Sequence, residues 1–344
     1  MADINADGIY FGLDESAYHA DPALGSSDLK QIYLDPIDWQ YDRLHGTREE
    51  TDAMLFGSAL HCRVLEGKAV FDAKFCGVPV KPDGCLITND DLGAWLKSYG
   101  LSDKGKKAEL IERIQSSGVA QPAIWEVLRE EFEALNAGKS ELTEQQFERV
   151  ETAARWMQAD ATLQVMMKDG AFQFGAPEVS FFYTVEGVRL KARFDYLVGH
   201  AILDLKSFAP MYKEVPAYSI TRAIMRQRYD LQCAAYVRAW HQGRKLYESG
   251  AVFGSQPDGL LKSVYSRAHP LWVWVFLKTV AAPQPFVRSL SNEEMVFGIA
   301  DRCITTAIEK YQAKVAEFGT EKIWPPNNPP EAMATDDFPQ WFQD

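Results

Sequence analysis

The chain has 344 residues, 47% of them apolar and 12% aromatic, enough for one large or two modest domains around a real core. Its formal charge of −12 argues against DNA attachment by bulk attraction and leaves any such contact to local basic groups. Five scattered cysteines (Cys62, Cys76, Cys85, Cys233, Cys303) form no CxxC pair and no cysteine–histidine cluster, which argues against zinc or iron–sulfur ligation and for free thiols in a reducing cytosol.

No apolar run approaches the roughly 18 residues of a membrane helix, and the start MADINADGIYFG lacks a basic-then-apolar signal, so the expected location is the cytoplasm. Residues 10–66 read as helical after a short extended start. Ser26 or Ser27 is placed to cap a helix ending at Asp35-Pro36, and a shorter helix follows through Trp39 to Leu44. A third helix, from about Thr51 to Glu66, puts Met54, Gly57, Ser58, His61 and Leu65 on one stripe. Residues 67–84, with Gly77, Pro79, Pro82 and Gly84, read as an extended linker.

A compact unit, 86–118, then reads as helix, glycine-containing loop, helix. Leu96, Leu101, Leu110 and Ile114 can build a miniature core, while Gly100 and Gly105 permit the tight loop. Lys104, Lys106 and Lys107 project as a patch able to contact phosphate, with Lys97 nearby. The unit holds five basic and five acidic groups, so that patch is local. The stretch from Gly100 to Lys106 has the outline of a phosphate-binding P-loop. Lys107 stands where Ser or Thr must bind Mg²⁺, however, and a helix rather than a strand precedes it, so an NTPase is rejected. Helices are expected over 121–136 and 143–168, the latter with a capping pair at Thr143 and Gln146.

The hydrophobic period then changes from helix to strand. Residues 178–185, 188–198 and 201–207 are separated by the turn sequences Glu186-Gly187 and Gly199-His200. In the middle strand Val188, Leu190, Ala192, Phe194 and Tyr196 alternate with Arg189, Lys191, Arg193 and Asp195, predicting one core face and one polar face. A helix of about twenty residues is expected near 219–241, a strand at 271–280, and a helix near 291–317. The proline-rich acidic tail has no regular pattern.

Asp204 and Lys206 lie two apart on the third strand and share a face, and a hairpin brings Asp195 alongside. Two carboxylates sharing a patch repel unless a cation sits between them, and hard oxygen ligands without thiolate suit Mg²⁺ or Mn²⁺. A neighbouring lysine can orient a water, help it lose a proton, or neutralise a pentacovalent phosphate.

This D…D-x-K arrangement resembles the signature of the PD-(D/E)XK nucleases, with Phe194 where the family often has proline. Three further elements resemble its RecB-like and RecE-like (exonuclease VIII) branch: Gly57-Ser-Ala-Leu-His61 upstream, Gln232-Cys-Ala-Ala-Tyr236 downstream, and the N-terminal run 18–36. The resemblance implies an α/β (α+β) restriction-endonuclease-like core, a small mixed sheet flanked by helices. It implies His61, Asp195, Asp204 and the Leu205 carbonyl as ligands of Mg²⁺ (or Mn²⁺), Lys206 as the catalytic lysine, and Gln232 and Tyr236 as supports touching DNA, with Tyr229 one turn before. Gly57 is expected to let its helix approach the sheet closely. Glu178 is either a further acid of the site or a solvated strand end.

Residues 92–114 resemble a SAP domain, a helix–loop–helix that binds DNA or, in some cases, protein. The organisation expected is therefore a helical part of the nuclease domain (1–84), the SAP-like insert (85–119), the nuclease core (120–325) and the tail (326–344). The RecE-like resemblance implies 5′→3′ digestion of linear double-stranded DNA ends and 3′ single strands passed to an annealing protein or recombinase. It also implies a ring-shaped homo-oligomer. A structure-specific endonuclease and a catalytically inactive DNA-binding adaptor remain open alternatives.

Overall fold

The computed structural model describes residues 6–46, 51–211, 213–326 and 333–337. Most of the acidic tail therefore lies outside the described residues. Strand β1 (Gly8–Tyr10) leads into helices α1 (Glu15–Ala20), α2 (Ser26–Leu34) and α3 (Pro36–His45). Neither Ser26 nor Ser27 caps α2; Gly25 stands at the cap, and the Asp28 carboxylate accepts its N–H at 2.8 Å. Asp35 ends α2 and caps α3 through Ile37 N and Asp38 N, with Pro36 at the first helical position, where its missing N–H costs nothing.

Helix α4 (Asp52–His61) continues as a single π-helical turn, Cys62–Glu66. The expected linker after it is helical at its start: α5 (Lys68–Lys74) forms because Phe71 is fully buried there, and β2 (Phe75–Gly77) follows. The expected insert holds α6 (Asn89–Ser98) and α7 (Lys107–Gln115), and α8 (Trp125–Leu135) follows it. Strand β3 (Ser140–Leu142) then pairs in parallel with β2. Entry and exit of the insert are thus stitched together. Its own core is Leu92, Leu96, Leu110, Ile111, Ile114 and Ile124, with Leu101 packed against it. Gly100 and Gly105 take φ of 72° and 139°, as the tight loop requires.

Helix α9 (Glu144–Ala159) stops short of 168 because the Asp160 carboxylate takes the N–H groups of Thr162 and Leu163, after which β4 (Met167–Lys168) and β5 (Ala171–Phe172) form a hairpin. Strands β6 (Gly175–Val185), β7 (Val188–Val198) and β8 (Ala201–Phe208) follow. The helix expected at 219–241 is two helices, α10 (Pro216–Gln227) and α11 (Tyr229–Glu248), broken at Arg228, whose φ is 52°. The chain closes with β9 (Val252–Phe253), α12 (Leu260–Tyr265), β10 (Leu271–Lys278), β11 (Pro285–Leu290) and α13 (Met295–Phe318).

One seven-stranded mixed sheet, ordered β11-β10-β8-β7-β6-β1-β9, forms the centre. Most neighbours are antiparallel; β8–β10 and β1–β9 are parallel. One face packs on α2, α11 and α13 through Leu29, Ile32, Trp240 and Ile304. The other packs on α4, its π turn and α9 through Leu60, Val64, Val150 and Met157. Among the described residues no helix is long and apolar enough to cross a membrane.

Candidate active site

The site lies where the central sheet stops being regular. Strands β7 and β8 pair only at Tyr196–Leu203, Leu197–Ile202 and Val198–Ala201. The next pair in that register would be Asp195 opposite Asp204. There the ladder opens, and the Leu205 N–H donates instead to Asp195 Oδ2 at 2.8 Å. Strand β8 nevertheless keeps all of its residues paired with β10, so Asp204 and Lys206 stand on a rigid support while β7 splays away.

The expectation of a single core face along β7 fails at this same point. Leu190, Ala192 and Phe194 face one core and Leu197 joins them, a step of three residues, while Tyr196 and Val198 face the opposite core. Strand β6 reverses in parallel: Val179, Phe181 and Tyr183 share a core with Ala176. Opposite Asp195 sits Glu178, skipped by the β6–β7 ladder, with φ of 52°. A non-glycine residue in the left-handed region costs energy and persists where its surroundings hold it. Here Arg193 Nε holds the Glu178 carboxylate at 2.6 Å. The reversal turns two carboxylates, Glu178 and Asp195, toward one cleft of about 1050 Å³ that His61 and Tyr236 also line.

The residues expected from the sequence converge. His61 Nδ1 lies 3.8 Å from Asp195 Oδ2. The π turn begins directly after it, a helix distortion often found at functional positions. Gly57 does not serve the close approach expected of it: a Cβ there would meet nothing within 4 Å. Lys206 Nζ is 2.8 Å from Asp204 Oδ2 and 5.1 Å from the Tyr229 ring centroid. Gln232 Nε2 donates to Asp204 Oδ1 at 2.9 Å, while Tyr236, 7% exposed, packs on Phe194 and Trp272.

Electrostatics mark the same group. The Asp204 side chain is 1% exposed; burial, with Asp195 beside it, raises its pKa to about 7 against the pull of Lys206. Burial likewise raises Asp195, and burial plus Asp195 pushes Glu178 up to about 7. Burial works against the Lys206 charge, yet Asp204 and Asp195 together hold its pKa above the ordinary lysine value. Burial and the Lys206 charge push His61 down to about 4, so its imidazole is neutral.

Among the described residues no three His, Cys, Asp or Glu side chains stand together as a finished metal cage. The donor chemistry still fits a hard divalent cation. Asp195 repels both Asp204 and Glu178 at buried positions, a neutral imidazole adjoins them, and the Lys206 ammonium lies 2.8 Å from Asp204 Oδ2.

Sequence reasoning left Glu178 undecided and gave no role to Lys191 and Arg193. The structure places Lys191 and Arg193 with Glu178 and Asp195 along the cleft. Lys191 Nζ donates to the Tyr18 and Asp21 carbonyls at 2.8 and 2.7 Å, and Arg193 Nη1 to the Leu13 carbonyl at 3.1 Å, roofing the cleft with the N-terminal segment. The polar side of β7 was visible in the alternation; its partners, some 170 residues away, were not.

The residues expected to bind DNA in the insert lie apart from this cluster. Lys97 pairs with Asp103 at 2.8 Å and Lys107 with Glu126 at 2.6 Å, whereas Lys104 and Lys106 are exposed and in no ion pair among the described residues.

A mixed sheet opened at two acid-bearing strands, with an aspartate–lysine pair on the inner one, defines a fold of the PD-(D/E)XK class. The chain belongs to the family described as PDDEXK-like domain of unknown function (DUF3799), whose model matches residues 38–249. It is also similar to a crystal structure of a candidate exonuclease from Eubacterium rectale, at 13% identity over 88% of both chains with a TM-score of 0.45. No curated protein sequence matches it.

Proposed function

We propose that this protein is a divalent-cation-dependent deoxyribonuclease that digests linear double-stranded DNA from its ends, 5′→3′, leaving 3′ single strands. The observation that carries the reading is the convergence of Asp195, Asp204 and Lys206 at the open β7–β8 fork, with Gln232 fixed on Asp204. End dependence and polarity follow from the RecE-like resemblance of His61, the D…D-x-K set and the Gln232–Tyr236 pair.

Asp195, Asp204, the Leu205 carbonyl and His61 would hold Mg²⁺ or Mn²⁺, with Glu178 as a further carboxylate. When bound, the ion supplies Lewis-acid polarisation of the phosphate and an acidified water. The chain's own residues do the rest. Gln232 donates to Asp204 Oδ1 while Lys206 stands at Oδ2, so the carboxylate is held in one orientation. His61 stays neutral and so offers a nitrogen lone pair. Lys206 stays protonated, which suits it to neutralise charge growing on the phosphate rather than to take a proton. Tyr236 bounds the cleft and Tyr229 backs the lysine.

In this reading the SAP-like insert adds a phosphate contact through Lys104 and Lys106, a ring-shaped homo-oligomer encloses the duplex, and an annealing protein or recombinase receives the single strand. The test is release of 5′ label from linear duplex in Mg²⁺, run beside EDTA, closed circular duplex and Lys206→Ala. The expected result is release by the wild type alone, with metal, from linear DNA alone. Cutting of circles would make it an endonuclease. Equal inertness of wild type and variant, with DNA still bound, would make it a binding adaptor.

A further inference from the structure

Among the described residues, helix α10 leaves one face uncovered. Only Ser219 and Ile220 are buried along it. On the outside, Val215, Tyr218 and Met225 are 56%, 70% and 69% exposed, with Arg222 between them at helical spacing and Arg226 beside them. Three exposed apolar side chains of this size along one helix face are uncommon on a surface that meets only water.

Charge and position bear on what covers it. The chain carries −12 overall, yet residues 216–228 contain three arginines and no carboxylate. Arg222 is held by Glu214 just before the helix, and Arg228 is held through both nitrogens by Asp230, at 3.0 Å each. The C-terminal end of α10 adjoins the candidate active site. Lys30 Nζ clamps the last carbonyl of α10, that of Gln227, at 3.1 Å, and Gln227, Arg228 and Tyr229 line a cleft with Lys206 and Gln232. Exposed aromatic and thioether surface interleaved with arginine is what stacks on bases while phosphates are neutralised alongside.

We propose that the outer face of α10 seats the end of a DNA duplex, Tyr218 and Met225 packing on the terminal bases and Arg226 contacting phosphate. The inference rests on the nuclease reading and deepens it, assigning the element that presents a duplex end to Lys206.

Binding is measured by fluorescence anisotropy with Ca²⁺ in place of Mg²⁺, on a hairpin duplex with one open end and on a dumbbell closed at both ends. The wild type is expected to prefer the open end. The Tyr218→Ala/Met225→Ala variant is expected to lose about tenfold on the open end and nothing on the dumbbell, the loss of one stacked base. Tyr218→Phe should restore binding, since stacking needs no hydroxyl, and Arg226→Ala should weaken the open-end substrate with a shallower salt dependence. Equal affinity of wild type and double variant for the open end overturns the proposal, as does a wild type without end preference. A change in the double variant's sedimentation, with DNA binding intact, also overturns it and makes the stripe a contact between protein chains. A wild type that binds ends but never cuts would remove the catalytic reading and leave this one standing.

Discussion

The fork of β7 and β8 and the helix–loop–helix insert both carry charged residues that the sequence singles out, and the structure treats those charges in opposite ways. At the fork Asp204 is 1% and Lys206 15% exposed; burial raises Asp204, Asp195 and Glu178 and lowers His61, while the two aspartates hold Lys206 above its ordinary value. In the insert the Lys97–Asp103 and Lys107–Glu126 pairs keep between 33% and 67% of their side-chain surface, in water that screens them. A buried charge without a full set of partners is costly, so its presence points to chemistry; a solvated charge costs little and points only to a surface.

The fork is broken most completely by Asp204→Asn. That change keeps the shape, removes one buried negative charge, and is expected to lower activity on linear duplex about a thousandfold. It should also alter how stability depends on pH. With no metal present, the folded-state pKa values of Asp204 and Glu178, each about 7, lie above the ordinary carboxylate values of 3.8 and 4.5, so the folded protein binds their protons more tightly than the unfolded chain does. Their penalty is absent below those unfolded values and grows as pH rises toward and through 7. In EDTA, Asp204→Asn should therefore gain Tm relative to the wild type between pH 5 and pH 8. A gap between the two that stays constant across that range would show that burial does not tax Asp204 and would erase the contrast between the regions.

Much of this site was legible because it rests on short-range periodicity. Period two put Asp204 and Lys206 on one face, and a helical spacing put Gln232 and Tyr236 on one side of α11; both hold. What was not legible depends on distant partners. The reversal of β6 and β7 rests on Glu178 at φ of 52°, held by Arg193, and nothing local to the sequence announces a left-handed glutamate. The break at Arg228 is similar: an arginine adopts the left-handed conformation where Asp230 grips its guanidinium, splitting what the hydrophobic pattern reads as one helix. The helix at 68–74 was hidden by the prolines and glycines downstream of it, although Phe71 draws it into the core.

The insert breaks in a different place, at its small core. Leu110 is 1% exposed and belongs to a cluster separate from the two cores that sandwich the main sheet. Leu110→Ala is expected to cost about 2–5 kcal/mol, more than so small a cluster can absorb. The loss should stay local, appearing as rapid proteolysis and amide exchange within 86–118 while the melting of the sheet domain barely moves. A single shifted transition for the whole chain would mean that the parallel β2–β3 stitch couples the insert to the core.

The smallest effect separates the insert's own lysines. If phosphate is bound there, Lys104→Ala/Lys106→Ala should remove up to two contacts and flatten the slope of log Kd against log salt by about 2 on duplex DNA. Lys97→Ala/Lys107→Ala should flatten it less, because those ammonium groups already have carboxylate partners. The margin is narrow, since exposed ion pairs are worth about 0–1 kcal/mol and a phosphate at low salt can compete for the lysine. Equal slopes for the two variants would show Lys97 and Lys107 exchanging carboxylate for phosphate. Pairing would then be no guide to function in the insert, and burial alone would separate it from the fork.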